Sequence, residues 1–310
     1  MNRRSILRGL ALGAAAAPAA VLLGGEAQAA QYSVVATEQT ANKIYVWPKG
    51  KSLSVANRLW SWDPGSTSGW SNLSDVKLRK TAAHGYIVLV AASGGRVGMI
   101  NHTSEKDAEL NDVLWWSTAG GNPHAIERIE NNGSIVTASS NGYLNLYSPT
   151  AVSKPSTLAL VKTYSFAGAH GVLWDPSMKL LWAIGDKQIR WYKVTGTYRN
   201  TRLSLSGSKT ISGLGHDLQP DYKNKGYLLF TASYGTYQIN TSTKAITRLS
   251  TETRVKALVR HSSGELLSVR GDNAGSRDWG SPWLRFSDSA DRERTGAEFY
   301  KARIWSHLYE

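Results

Sequence analysis

A short segment that recurs every 46 residues constrains the fold more than any other part of the sequence. His124 lies in Pro-His-Ala-Ile-Glu, His170 in Ala-His-Gly-Val-Leu and His216 in Gly-His-Asp-Leu, and successive histidines are 46 residues apart. Each segment is followed by a polar turn, an apolar strand-like run, a tight turn and another apolar run. Several short strands per repeat at a period of about 40–50 residues are typical of a β-propeller.

The same register extends in both directions with lysine in place of histidine. Lys77 precedes His124 by 47 residues, Lys256 follows His216 by 40 residues, and Lys301 follows Lys256 by 45 residues. Each lysine begins or lies in a short apolar segment, as the histidines do. The chain after the first thirty residues therefore fits a series of similar repeats.

The two ends of the repeat array complement each other. Residues 34–62 contain three strand-like segments but none that corresponds to the first strand of a repeat, and only nine residues follow Lys301. If the C-terminal strand pairs with the N-terminal ones, a sixth unit is completed and no long open edge remains. We predict an all-β fold, a six-bladed propeller whose N- and C-terminal strands share one blade. Five or seven blades remain possible, and a β-sandwich, which does not explain the recurrence, is the alternative fold.

The N-terminus has the pattern of an export signal. Arg3 and Arg4 precede an apolar stretch over residues 9–25, and Ala-Gln-Ala at residues 27–29 is a small-residue cleavage pattern. We predict a twin-arginine signal at residues 1–29, a single propeller domain at residues 30–310 and a secreted protein; a membrane anchor is the alternative. No other segment has the ~18 apolar residues that a membrane span needs.

Charge and cysteine content restrict the partners and the chemistry. The formal charge of +13 favours an anionic partner, which we expect to be an acidic polysaccharide or oligosaccharide. No Gly-Arg-rich or basic aromatic tract indicates nucleic-acid binding, and we expect a monomer. The chain has no cysteine, which excludes disulfides, thiolate metal ligands and a cysteine nucleophile.

The repeat register predicts a single site. Equivalent positions in the first strands of the blades lie at one radius and height, so the recurring side chains should surround the mouth of the central channel. The predicted catalytic residues are the three histidines, which are also the possible ligands of a divalent metal. The predicted substrate-binding residues are Lys77, Lys256, Lys301, Arg303, Arg270, Tyr234 and Trp279.

These residue types favour proton abstraction over hydrolysis. A neutral histidine can remove a proton next to a carboxylate while lysine or arginine stabilises the enolate, which is β-elimination at a uronic acid. A glycoside hydrolase needs two close carboxylates. Glu127, Asp175, Asp217 and Asp272 are candidates, but no spacing selects a pair. In a purely structural role, each histidine would instead hydrogen-bond the backbone of a neighbouring blade.

Several segments carry a resemblance to known propellers. Residues 123–127, 168–175 and 300–303 resemble an uncharacterised family of secreted actinobacterial propellers. The Ala-His-Gly-Val-Leu-Trp-Asp run at residues 169–175 is also similar to blades of rhamnose–glucuronate lyases, which usually have seven blades. That resemblance implies a catalytic role for His124 or His170 and a lyase acting on a uronate-containing glycan. A non-catalytic propeller that binds an acidic glycan or a surface protein, and a glycoside hydrolase, are the alternative functions.

Overall fold

The computed structural model describes residues 31–103, 106–272 and 274–309. The predicted export signal lies outside these residues. The described residues form one compact unit. Among the residues described, no helix has the length and apolar character needed to cross a membrane.

The described residues form 23 strands and four short 3₁₀ helices. In chain order, the first strands are β1 (Ser33–Glu38), β2 (Lys43–Pro48), β3 (Trp60–Trp62), β4 (Leu73–Thr81), β5 (Gly85–Ala92), β6 (Arg96–Asn101), β7 (Asp107–Ala108), β8 (Val113–Thr118), β9 (Pro123–Arg128), β10 (Ile135–Ser139), β11 (Tyr143–Ser148) and β12 (Ala159–Ser165). They are followed by β13 (Gly171–Asp175), β14 (Leu180–Thr195), β15 (Arg202–Pro220), β16 (Tyr227–Ala232), β17 (Gly235–Asn240), β18 (Ile246–Ser250), β19 (Val255–Arg260), β20 (Leu266–Arg270), β21 (Trp283–Phe286), β22 (Arg292–Glu293) and β23 (Phe299–Ile304). The helices are Val55–Asn57, Leu110–Asp112, Pro155–Thr157 and Tyr198–Asn200.

The strands pair into the sheets of a β-propeller, in agreement with the predicted all-β fold. Within the described ranges there are five sheets. Four have the strand orders β23-β1-β2-β3-β7, β4-β5-β6-β8, β12-β11-β10-β9 and β19-β20-β21-β22. The C-terminal β23 pairs antiparallel with the N-terminal β1, so the two ends of the chain share one blade, as the sequence predicted.

The fifth sheet is six-stranded, and it corrects the predicted number of blades. Its order is β13-β14-β15-β16-β17-β18, so the part of the chain that the structure describes has five blades rather than six. The repeats of His170 and His216 share this sheet because two long strands, of 16 and 19 residues, join them. β15 pairs first with β14 and then, from Gly215 onward, with β16.

Six strands surround the central channel of the described unit. β4, β9, β13, the second half of β15, β19 and β23 contact one another in this cyclic order. Apolar side chains fill the spaces between neighbouring sheets; Trp174 and Leu181, for example, pack against Ala138 and Leu144. Strands such as β9 and β10 are therefore buried on both faces, even though β9 contains the polar residues His124, Glu127 and Arg128.

Candidate functional site

A cavity of about 340 Å³ lies at the end of the channel where β9, β13, the second half of β15, β19 and β23 begin. Its volume is within the range of small-molecule sites, about 300–1,000 Å³. We call this cavity the histidine pocket. Its lining residues are Gln39, Asn72, Ser93, Asn122, His124, His170, His216, Lys256, Trp279 and Tyr300.

The three repeat histidines lie side by side in this pocket. The ring centroids of His124 and His170 are 4.3 Å apart, and those of His170 and His216 are 5.4 Å apart. The sequence therefore placed these residues together correctly, because the same register position recurs in three successive repeats. His170 is the central member of the row.

Backbone carbonyls fix the tautomers of two of these rings. Nδ1 of His124 lies 2.9 Å from the carbonyl oxygen of Asn122, and Nδ1 of His170 lies 2.8 Å from that of Gly168. A carbonyl oxygen only accepts hydrogen bonds, so each Nδ1 carries the proton and each Nε2 keeps its lone pair. The two rings thus present the same basic nitrogen. In both repeats the carbonyl belongs to the residue two positions before the histidine.

Burial keeps all three imidazoles neutral at physiological pH. It lowers the pKa of His124 to about 4 and that of His216 to about 2, with Lys256 and Lys301 acting in the same direction. Burial, followed by the neighbouring His124 and His216, also holds the pKa of His170 well below its ordinary value. A neutral imidazole is the form that accepts a proton.

Lys256 and Tyr300 also line the histidine pocket. Nζ of Lys256 lies 3.5 Å from Nε2 of His216, and burial, with Arg254, lowers the pKa of this lysine. The Tyr300 ring lies 5.6 Å from the His124 ring, at 88° to it. Burial, with Asp217 and Asp75, raises the pKa of Tyr300, so the phenol stays protonated. The pocket therefore combines neutral bases, one amine and one protonated phenol.

Trp279, one of the predicted substrate-binding residues, reaches the pocket from an insertion between β20 and β21. Its indole Nε1 donates to Oε1 of Gln39 at 3.0 Å. Arg277 also donates to Gln39, at 3.2 Å, and to Oδ1 of Asn72, at 2.6 Å. Its guanidinium group thus joins this insertion to the loop before β4.

Lys77 and Lys301 do not line the pocket, contrary to the register prediction. Both are buried deeper in the channel, where Nζ of Lys77 donates to the carbonyls of Ile126 and Val172 at 2.8 and 2.7 Å. Nζ of Lys301 donates to the carbonyls of His216 and Lys256. The register irregularity between Leu73 and Asp75 corresponds to those at His216 and Lys256, so Ser74 takes the equivalent position and Lys77 lies three residues farther along β4. In β23, Tyr300 takes the position predicted for Lys301.

Arg303 is likewise part of a buried charge network rather than of the pocket wall. Its guanidinium donates to Asp217 at 2.8 and 2.9 Å and to Asp75 at 2.9 Å. Lys77 lies 3.4 Å from Asp75, and Lys301 lies 3.4 Å from Asp217. Burial alone would raise the pKa of Asp75, but Lys77, Arg303 and Lys301 together hold it below its ordinary value. These ion pairs fill the channel beneath the histidines.

Two further predicted residues lie away from the pocket. The Arg270 side chain is 41% exposed, and its Nη1 lies 3.6 Å from a carboxylate oxygen of Glu252. Tyr234 is 59% exposed. Neither residue is among those that line the pocket. The exposure of both side chains and their absence from the pocket lining separate them from the predicted site.

Some lining residues were not predicted. Asn72 and Asn122 precede the first strands of their repeats, and both adopt a left-handed backbone conformation with φ of 54° and 60°. Asparagine tolerates this conformation better than most residues, so in the sequence these two asparagines indicate turns and not a binding site. The sequence could have indicated Asn122 only through its place two residues before His124, which corresponds to the place of Gly168 before His170.

The described residues of the pocket do not favour a two-carboxylate hydrolase or a divalent metal site. None of its described lining residues is aspartate or glutamate. Glu127 is paired with Arg79 at 2.6 Å, Asp217 with Arg303, and Asp272 with Arg285 at 2.6 Å. In the described ranges, no group of three or more His, Cys, Asp or Glu residues has an arrangement that could hold a metal ion.

Comparison with known proteins agrees with this architecture. Residues 25–303 match the family described as "Family of unknown function (DUF6528)". The chain belongs to this family. No curated protein matches the sequence. The crystal structure of the WD40 β-propeller domain of Doa1 is similar, with a TM-score of 0.55 and 10% identity over 87% of this chain and 82% of that one. At this identity the likeness shows the propeller fold alone.

Proposed function

We propose that this DUF6528 protein is a secreted carbohydrate-active enzyme that cleaves a uronate-containing glycan by β-elimination in the histidine pocket. One observation carries the proposal: neutral imidazoles with unprotonated Nε2 atoms share a small cavity with a lysine and a protonated tyrosine. Proton abstraction next to a carboxylate needs this set of a base, a cation and an acid.

His124 is the proposed base. Nε2 of His216 faces the Lys256 amine at 3.5 Å, which leaves His124 and His170 with free lone pairs. The pKa of His124, about 4, is closer to neutral pH than that of His216, about 2, and His124 also lies next to Tyr300. A bound carboxylate adds negative charge near the ring and raises its pKa, so the substrate itself strengthens the base.

The remaining steps follow from the neighbouring groups. Nε2 of His124 takes the proton next to the uronate carboxyl group, and Lys256 stabilises the negative charge that develops on the carboxylate. Tyr300 donates its phenolic proton to the glycosidic oxygen as the C–O bond breaks, which leaves a C=C bond in the sugar. The proton on His124 then returns to Tyr300 through solvent, and both residues regain their starting forms.

The test is a screen of uronate-containing polysaccharides for the ultraviolet absorbance of the new C=C bond. We expect absorbance with at least one polymer, a loss of about 10²–10⁴-fold in rate for His124→Ala, and little loss for Arg270→Ala, whose side chain lies outside the pocket. The proposal fails if no polymer yields an unsaturated product, or if His124→Ala is as active as the wild-type protein.

A non-catalytic glycan-binding propeller is the second candidate. The observation in its favour is that burial makes the imidazoles weak bases, with a pKa of about 4 for His124. Binding without any unsaturated product would support this function. Hydrolysis by two carboxylates is not favoured, because no described residue lining the pocket carries a carboxylate.

A further inference from the structure

A second cavity, of about 1,020 Å³, lies at the opposite end of the channel. Its lining residues come from the places where the inner strands end: Thr81 ends β4, Glu130 follows β9, Pro176 follows β13, His261 follows β19 and Ile304 ends β23. The histidine pocket lies where most of these strands begin. The two cavities therefore open at opposite ends of the same ring of strands.

The buried charge network separates the two cavities. Arg303 bridges Asp75 and Asp217 across the channel, and Arg79 makes a double hydrogen bond to Glu127 at 2.6 and 2.9 Å. These side chains are at most 5% exposed. A ligand in one cavity has no open path to the other, so the second cavity is not an extension of the proposed active site.

Aromatic rings held by neighbouring groups form the walls of this cavity. Tyr32 stacks on His261 with ring centroids 4.0 Å apart, and its hydroxyl donates to Glu265 at 2.8 Å. Trp305 stacks on Trp60 at 5.7 Å. Lys49 Nζ also lies over the Tyr32 ring, 5.6 Å from its centroid, and the His102 ring lies 5.4 Å from that of Trp305. Both Tyr32 and Trp305 nevertheless line the cavity, and rings fixed in this way lose little conformational entropy when a ligand contacts them.

The C-terminal segment supplies the floor. The guanidinium carbon of Arg79 lies 4.2 Å from the centroid of the Tyr309 ring. The hydroxyl of Tyr309 donates a hydrogen bond to the carbonyl of Arg128 at 3.2 Å. Tyr222, on the neighbouring wall, donates to the carbonyl of Leu308 at 3.2 Å. The last residues described are thus anchored across the end of the channel.

The rim carries positive charge. Lys80 and Lys225 are exposed at the edge of the cavity, and neither is in an ion pair among the residues described. Glu130 is the only described acidic residue that lines it, whereas Thr81, Ser262 and Ser306 add hydroxyl groups. Separate aromatic faces with hydroxyls and cations between them suit a ligand with several rings, many hydroxyl groups and negative charge.

We propose that this second cavity is a binding site for an acidic oligosaccharide, with the sugar rings stacked on Trp305 and Tyr32 and the carboxylates directed to Lys80 and Lys225. The site binds without catalysing a reaction. It holds a glycan chain at the end of the propeller opposite the proposed active site, and it does not depend on whether that site performs elimination.

The experiment is isothermal titration calorimetry at low ionic strength with trigalacturonate, a neutral trisaccharide of the same length and adenosine monophosphate. The proteins are the wild type, Trp305→Ala, the double variant Lys80→Ala/Lys225→Ala and, as the matched control in the histidine pocket, Lys256→Ala. Because Trp305 packs on Trp60, its variant is also checked for thermal unfolding; the exposed lysines avoid that difficulty.

We expect trigalacturonate to bind more tightly than the neutral sugar. We expect binding to weaken about tenfold in Trp305→Ala and severalfold in the double lysine variant. Lys256→Ala should still bind trigalacturonate in the second cavity, even if the proposed elimination is absent. The proposal is overturned if trigalacturonate does not bind, if the lysine variant binds it as the wild type does, or if only Lys256→Ala weakens it. Tighter binding of adenosine monophosphate would identify a nucleotide site instead.

Discussion

Nε2 of His216 lies 3.5 Å from Nζ of Lys256, and the two residues come from neighbouring inner strands, 40 positions apart in the sequence. The amine donates, so the lone pair of His216 is engaged and its buried Nδ1 has no hydrogen-bond partner among the described residues. Burial, followed by the charge of Lys256, lowers the pKa of His216. The contact thus distinguishes His216 from the other two histidines.

Replacing Lys256 with methionine should raise the pKa of His216. The substitution keeps much of the side-chain volume but removes the positive charge that disfavours the imidazolium form. NMR titration of the histidine ring protons measures the shift, with Lys80→Met as a control for an exposed lysine outside the histidine pocket. An unchanged His216 titration in Lys256→Met would show that the contact has no electrostatic effect.

The protein should lose stability as the pH falls from about 6.5 to about 4. In the folded state the pKa of His124 is about 4, below the unfolded value of about 6.5, so the unfolded chain binds more protons in this window. The shift corresponds to at most about 3 kcal/mol from this residue, present above pH 6.5 and lost toward pH 4. Urea unfolding at a series of pH values measures it.

The variant His124→Gln provides the check on that assignment. Glutamine does not titrate, so the variant should lose less stability between pH 6.5 and 4 than the wild-type protein does. Equal slopes for the two proteins would mean that the pKa of His124 is not lowered by folding.

Arg303→Met should destabilise the propeller strongly. The substitution leaves the buried Asp75 and Asp217 without their shared guanidinium, and removing one partner of a buried ion pair costs about 3–5 kcal/mol. The matched control is Arg58→Met, which breaks the partly exposed pair with Asp107 and should cost less than about 1 kcal/mol. Chemical denaturation measures both, and similar losses would contradict the role given to Arg303.

Trp279→Ala should weaken glycan binding in the histidine pocket with little loss of stability. The indole lines the pocket and is 43% exposed, and its one described hydrogen bond goes to Gln39. We expect KM for the uronate polymer to rise severalfold while the melting temperature changes by a few degrees at most. An unchanged KM would remove Trp279 from the substrate-binding residues.

The sequence predicted the propeller and the row of histidines because both depend on a recurring period. A 46-residue repeat sets one strand per repeat on the channel, and His124, His170 and His216 share its register. It did not predict the depth of Lys77 and Lys301, because the histidine register was aligned with these lysines, whereas Ser74 and Tyr300 are the residues at the equivalent positions.

The six-stranded sheet and the Arg303 ion pairs depend on contacts that a local sequence pattern does not predict. The six-stranded sheet exists because β14 and β15 continue through positions that have turn-like sequences. Arg303 meets Asp75 and Asp217 only when the ring closes, since the three residues are far apart in the chain. The sequence predicted Arg303 as a substrate-binding residue and Asp217 as a candidate carboxylate of a hydrolase, whereas burial assigns both to the core.

Mass spectrometry of the products formed from a uronate polymer in ¹⁸O-labelled water tests the central claim most directly. Elimination breaks the glycosidic bond without adding water, so the account predicts unsaturated fragments that lack one water relative to hydrolysis products and acquire no label in the cleavage step. It also predicts that His124→Ala forms them far more slowly. Labelled, saturated fragments, or no fragments from any uronate polymer, would contradict the account.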